Sequence, residues 1–430
     1  MKPGARIAAA VEVLDAILGR HQPVATALTD WGKAHRFAGS GDRNAIGGLV
    51  YDALRRKASI AWAMESDSSR ALALASAGPA LDLTLEEVIA ACDGSAHAPA
   101  PLSEIERRGL TRDVSEAPEY TRANVPEWLW PSFLTAFGPR AAEEGAAMCH
   151  RAPADVRVNT LKADRDKVLK ALAPFSAQPC AISPLGLRVP PPKGPQRTPN
   201  LQVEAAFQAG WCEIQDEGSQ IAAALSGAGP RKQVLDLCAG GGGKTLAMAA
   251  AMQNKGQIYA YDEDRHRLKP IFERIKRAGV RNVQILRAGD KAALNELGAR
   301  FDTVLVDAPC TGTGTWRRRP DAKWRLKPAA LAERQKQQRE VLDQAAALVK
   351  PGGRLVYITC SVLPEENGSQ VTAFIDRHDD FDIVPVGKVW SEALPGTPVA
   401  SADGSNTHLL LTPARHGTDG FFISILSRRA

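Results

Sequence analysis

Apolar positions recur at helical spacing through the first third of the chain. In the last half they change to short strand-like runs. Ile7, Val11, Leu14, Ile17 and Leu18 fall on one helical face. Asp42 is placed to cap a second helix, in which Ile46, Leu49, Val50 and Leu54 share a face. Thr84-Leu-Glu-Glu has the spacing of a capping box for a helix from Leu85 to Ala91. Val114 to Glu127 is polar and proline-containing, as in a linker or extended arm. Residues 1–145 therefore predict a helical domain with a linker and no catalytic constellation of their own.

Around residue 146 the pattern changes. Val156 and Val158 alternate with polar residues, as in a strand. Asp164 to Leu172 predicts a helix with Val168, Leu169 and Leu172 inside. Ile182 to Val189 predicts a second strand, ended by Pro190-Pro191-Pro192. Residues 146–215 thus predict a small α+β module.

From residue 216 to 430 strands and helices alternate, the mark of an α/β domain with a parallel sheet. The predicted strands are Val234–Leu237, Gln257–Tyr261, Val283–Leu286, Thr303–Val306, Arg354–Ile358, Phe381–Val386, His408–Leu411 and Phe421–Leu426. Leu331 to Val349 is the clearest helix, stopped by Pro351-Gly352-Gly353. Pro270 falls in an otherwise helical stretch, where it sits in a first turn or kinks the helix.

Composition narrows the function classes. The chain has 430 residues, enough for two or three domains, and a net charge of +6. Trp316 to Arg325 alone holds five positive residues and one negative, so the basicity is concentrated, as at a polyanion site. Seven cysteines stand without a C-x-x-C pair, and the eight histidines show no metal-ligand spacing. A reducing compartment and no metal are expected. Glu12 and Asp15 interrupt any N-terminal apolar core, so a secretory signal is not expected. No run approaches the roughly 18 apolar residues of a membrane span.

The chemistry gathers at predicted strand ends, where open α/β sheets bind ligands. Val304-Leu-Val ends on Asp307-Ala-Pro-Cys310, then a loop with Gly312 and Gly314, then Trp316, Arg317, Arg318, Arg319, Lys323, Trp324 and Arg325. Val356-Tyr-Ile-Thr-Cys360 supplies a second thiol at the end of the next strand. Two thiols on successive strands suggest nucleophilic chemistry with an assisting partner. The segment Cys238-Ala239-Gly240-Gly241-Gly242-Gly243-Lys244-Thr245 follows a strand and opens a helix. Gly243-Lys244-Thr245 ends like a phosphate-binding P-loop, but Cys238 stands where that loop needs glycine. The glycines are not spaced as G-x-G-x-x-G. A tight turn against a nucleoside-like cofactor is the third reading. Asp262, placed to hold ribose hydroxyls, and Asp290, near an adenine, favour it.

The paired Pro-Cys310 and Thr-Cys360 motifs resemble the Sun/Fmu-type (NOL/NOP/Sun) family of RNA cytosine-5 methyltransferases. So do Arg157-Val-Asn-Thr-Leu-Lys, Gln215-Asp-Glu-Gly-Ser-Gln, Asp236 to Thr245 and Thr418-Asp-Gly-Phe-Phe. The likeness covers roughly Asp155 to Arg429; Gly241 departs from it, standing where the family commonly has proline. A weaker likeness to a NusB-like RNA-binding domain lies around Asp42-Arg-Asn and Tyr51-Asp-Ala-Leu-Arg-Arg. The resemblance implies a Rossmann-like class I methyltransferase sheet and S-adenosylmethionine as cofactor. It implies that Cys360 adds to carbon 6 of a cytosine, that Cys310 acts in product release, and that Asp307 holds the amino edge of the base. Cys238 to Lys244, Asp262, Asp290 and Asp307 would line the cofactor site. Trp316, Arg317, Arg318, Arg319, Lys323 and Arg325 would grip RNA by charge and stacking. The expected partner is RNA, ribosomal before transfer RNA, with neither membrane nor metal, for a cytoplasmic monomer. A P-loop NTPase is the alternative, and it leaves Thr359-Cys360 unexplained. A non-catalytic RNA-binding protein has no direct support, since Cys310, Cys360 and Asp307 are all present.

Overall fold

The computed structural model describes residues 1–196 and 199–430. The N-terminal helices pack around one apolar centre. Ile7, Leu14, Ile46, Leu49, Val50 and Leu54 are fully buried in it, on the faces that the periodicity marks. Thr84 and Glu87 form the expected capping box. Asp42 does not cap. The helix Ser40–Arg55 starts from Gly39, and the Asp42 carboxylate accepts from the Met1 amino group and Arg6 Nε, both at 2.9 Å. Two cations in reach outcompete the local cap.

The stretch Val114 to Glu127 is not an extended arm. It folds into the turn Val114–Glu116 and the helix Glu119–Arg122. Ala123 and Val125 then enter the same apolar cluster as Phe133, Phe301 and Tyr357. Their burial, with that of Thr121 and Asn124, anchors the segment, while Glu116, Glu119, Arg122 and Glu127 are exposed.

A small antiparallel sheet follows: β1 (Ala154–Val158), β2 (Gln178–Pro179), β3 (Gly186–Val189) and β4 (Cys212–Ile214), in the order β2-β3-β1-β4. The predicted second strand is shorter than Ile182–Val189. Ile182 and Ser183 instead donate their backbone N–H groups to Glu217 at 2.6 and 2.9 Å.

The large sheet contains β5 (Gln233–Asp236), β6 (Gln257–Ala260), β7 (Val283–Ile285), β8 (Phe301–Asp307), β9 (Val349–Thr359), β10 (Phe381–Val384), β11 (Leu409–Leu411) and β12 (Phe421–Arg428). The order is β10-β12-β9-β8-β5-β6-β7, with β11 against β12. β5 to β9 run parallel, and β12 is antiparallel to β9. Side chains alternate between two cores. Val304, Val306, Leu355 and Tyr357 face one, while Leu305, Val356 and Ile358 face the other. The order reverses between β5 and β8, which opens a crevice at their carboxyl ends.

Two local expectations change. The long helix runs Pro328–Ala346, and Pro351-Gly352-Gly353 lies inside β9 rather than ending a helix. Leu348 and Val349 are buried, so the chain turns into the sheet early. Pro270 separates two short helices, Arg265–Leu268 and Ile271–Ala278, standing with φ −65° at the N-cap of the second, just ahead of its first turn.

Candidate active site at the strand ends

β5 ends on Asp236, and the chain turns through Cys238 to Gly242 into the helix Gly243–Ala251. Gly240 and Gly242 take positive φ, +49° and +81°. A side chain at Gly242 would put its Cβ 2.5 Å from Ile271 Cγ1, so only glycine fits this close approach. Gly241 is held differently. Arg274 Nη1 donates to its carbonyl at 2.6 Å, and Arg274 is itself anchored on Glu213 at 3.0 Å. This clamp steadies a turn that lacks proline.

The turn forms one wall of a cleft of about 470 Å³. Cys238, Ala239, Gly240, Gly241, Gly243 and Lys244 line it, with Asp236 and Asp307 at its base. Asp236 is buried, and burial pushes its carboxyl up to about 7, against a smaller opposing effect of the Thr245 hydroxyl. Its Oδ2 accepts from Thr245 Oγ1 at 2.7 Å, and Oδ1 has no partner among the described residues. Asp262 lies at the end of β6, where Oδ2 accepts from the Gly240 N–H and Oδ1 from the Asp264 N–H, both at 2.9 Å. Burial raises the Cys238 thiol well above its ordinary value. An adenosine-type cofactor carrying an ammonium group fits this set: glycines permit backbone approach, and Asp236, with one carboxylate oxygen unpartnered among the described residues, is among the lining residues. Asp290 is outside it. Its carboxylate caps the helix Lys291–Asn295, Oδ1 accepting from Ala293 N–H at 3.0 Å, and Asp262 likewise is not among the residues that line the cleft.

Lys244 does not wait for a phosphate. Its Nζ donates to Asp307 Oδ2 at 2.7 Å, an ion pair that joins β5's helix to the end of β8. Beyond Asp307, the Cys310 and Cys360 sulfurs lie 3.3 Å apart. Hydrogen bonding to Cys360 and then burial hold the Cys310 thiol well above its ordinary value. The two thiols singled out in the sequence therefore share one point, next to a carboxylate and the cofactor-shaped cleft.

The basic segment behaves otherwise. Trp316 is 1% exposed and stacks on Phe133, with ring centres 5.7 Å apart. Arg317 Nε donates to Asp419 at 2.5 Å, and Arg318 is held by Asp419 and by Asp216, the latter at 2.9 Å. Lys323 is 1% exposed and donates to the backbone carbonyls of Arg55 and Asn124 at 3.2 and 2.9 Å. Trp324 Nε1 donates to Leu54 O at 2.6 Å. The expected RNA grip of Trp316, Arg317 and Lys323 is corrected: Trp316 and Lys323 fasten the N-terminal helices to the sheet, and the Arg317 side chain is held by Asp419 and Asp216. Arg318 is half-buried in the same ion network. Arg319 and Arg325 are exposed, and Arg325 pairs with Asp321 at 2.6 Å. Asp216 and Asp419, the acids that absorb these charges, were visible only as members of motifs without assigned roles.

A family model described as 16S rRNA methyltransferase RsmB/F matches residues 225–427, and one for the RsmF/B-like ferredoxin-like domain matches residues 125–193. A probable ribosomal RNA small subunit methyltransferase B of Synechocystis sp. is 34% identical over 315 residues, 71% of this chain and 67% of that protein. Its counterpart in Bacillus subtilis is 34% identical over 337 residues, 76% of this chain and 72% of that protein. The crystal structure of PH0851 superposes with a TM-score of 0.75 at 26% identity, covering 100% of this chain and 99% of that one. With paired thiols at the sheet edge, a glycine turn shaped for an adenosine-type cofactor and these relatives, the chain belongs to the 16S rRNA methyltransferase RsmB/F family and is an S-adenosylmethionine-dependent RNA methyltransferase.

Proposed function

We propose that the protein methylates carbon 5 of an unpaired cytosine in small-subunit ribosomal RNA, through a transient bond between Cys360 and carbon 6. The observation that carries this reading is the 3.3 Å separation of the Cys310 and Cys360 sulfurs beside Asp307. Carbon 5 of cytosine is a poor nucleophile. Addition of the Cys360 thiolate to carbon 6 moves the double-bond electrons onto carbon 5 and makes it a methyl acceptor. Bound S-adenosylmethionine supplies the methyl group on a positively charged sulfur. Cys310, as thiolate, then takes the carbon 5 proton; the C–H electrons re-form the ring double bond, and Cys360 leaves with the electrons of its bond to carbon 6.

Asp307 would receive the cytosine amino group on Oδ1, since Oδ2 is taken by Lys244. Asp236, Asp262 and the Cys238–Gly243 turn would hold the cofactor. The target base must be unpaired or flipped out to reach this depth. A cytoplasmic monomer that works without a metal completes the reading. Bisulfite mapping of small-subunit ribosomal RNA from cells with and without the gene tests it. One cytosine should lose its protection when the gene is removed; an unchanged map rejects the proposed substrate.

A further inference from the structure

Cys310 and Cys360 stand on loops that carry no regular structure, yet their sulfurs meet at 3.3 Å. Two consecutive residues after Cys360 account for the meeting. Glu366 is fully buried, and both its oxygens go to the residue that follows Cys310. Oε1 accepts from the Thr311 N–H at 2.8 Å and Oε2 from the Thr311 hydroxyl at 2.5 Å. Gln338, also fully buried, donates its amide to Glu366 Oε1 at 3.0 Å and to the Pro309 carbonyl at 2.9 Å. Cys310 is thus tied at the residue before it and the residue after it.

Asn367 does the same for the other thiol. Its Oδ1 accepts from Thr359 Oγ1 at 2.6 Å, and its Nδ2 donates to the Ser361 carbonyl at 3.0 Å. Those residues flank Cys360. The Tyr357 hydroxyl donates to the Glu366 carbonyl at 2.6 Å, which fixes the pair to β9. None of these polar groups faces the cleft that holds the cofactor-shaped site.

We propose that Glu366 and Asn367 are the positioning residues of the two-thiol chemistry, Glu366 through the flanks of Cys310 and Asn367 through the flanks of Cys360. The inference rests on the reading of Cys360 as nucleophile and Cys310 as the group that releases product. Its consequence is a division of labour between neighbours in the chain. A disturbance at Glu366 falls on release, and one at Asn367 falls on addition. The negative charge of Glu366 also contributes, after the Cys360 hydrogen bond and burial, to holding the Cys310 thiol up. Its removal lowers that thiol and moves the rise of the release rate to lower pH.

The test uses the full-length protein and an unmodified small-subunit ribosomal RNA transcript, with formation and decay of the denaturant-resistant adduct followed in time. In Glu366→Gln, formation stays close to the wild-type rate, while decay slows by about tenfold to a hundredfold, the scale of a misplaced reacting group. In Asn367→Asp the order is reversed: formation slows on that scale and no adduct accumulates. Thr311→Val and Thr359→Val remove one hydrogen bond from each grip and give smaller changes in the same two directions, which covers a variant that fails to fold. Equal slowing of both steps in folded variants, or an unmoved pH profile in Glu366→Gln, overturns the proposal. Wild-type protein that yields neither adduct nor methylated transcript overturns instead the reading on which it rests.

Discussion

Residues 307–315 and residues 316–325 follow one another without a break, and in the sequence both carry obvious chemistry. The first stretch presents Asp307 and Cys310 at the end of β8, where the sheet order reverses and a cleft opens. The second is richer in charge, but Arg317 and Lys323 point inward and meet Asp419 and backbone carbonyls. Strand-end geometry separates the two. A residue at the carboxyl end of a parallel strand is delivered to the ligand edge by the fold itself. A run of arginines gains no such address; whether it meets solvent depends on which acids and carbonyls the distant chain brings to it. Here Asp216 and Asp419 are brought to Arg317 and Arg318, and Lys323 and Trp324 meet backbone carbonyls of the helical region, so most of the run is spent on internal fastening.

Removing a buried charge breaks this comparison most severely if it is wrong. Arg317→Ala takes one of two cations from Asp419 and Asp216 and leaves the half-buried Arg318 as their remaining partner. The loss should approach, without exceeding, that of a broken buried pair, about 3–5 kcal/mol. The midpoint of urea unfolding should fall accordingly. Unchanged stability would return Arg317 to the RNA-facing surface.

A change on the opposite side of the comparison acts on the cofactor instead. Asp262→Ala removes the acceptor that holds the Gly240 N–H in the turn lining the cleft, and with the ribose role proposed for it should weaken S-adenosylmethionine binding by about 1.5–3 kcal/mol, tenfold or more. Titration calorimetry of the folded variant reads this directly, and unaltered affinity discards Asp262 as a ribose-holding group.

The smallest effect belongs to the residue of the basic segment that does face solvent. Arg319→Ala should flatten the slope of log affinity for RNA against log salt by about 0.7, one single-strand phosphate contact. Stability should not move. A slope that stays the same removes the last RNA-facing cation of this run other than Arg325, which Asp321 already holds.

The sheet was legible because its strands are apolar runs with polar ends. All strands from Gln233 onward form within two residues of their expected ends, except β9, which starts five residues early at Val349. The juxtaposed groups were legible as far as they lie on strand ends: Asp307, Cys310, Cys360 and the glycine turn. What escaped was fixed by long-range partners. Asp290 looks like a ligand, and its carboxylate caps a helix. Asp42 looks like a cap and is an ion-pair acceptor for a residue 41 positions away. Glu366 and Asn367 follow Cys360 closely in the sequence, but their grip on the flanks of both thiols depends on how β8 and β9 lie side by side.

The central claim is that two thiols at one point do different jobs, and denaturing gels of Cys360→Ala and Cys310→Ala with the ribosomal RNA transcript and S-adenosylmethionine test it most directly. Cys360→Ala should give no methyl transfer and no shifted band. Cys310→Ala should give a denaturant-resistant protein–RNA band that accumulates without turnover. A band trapped by Cys360→Ala and absent from Cys310→Ala would contradict the account and exchange the two roles.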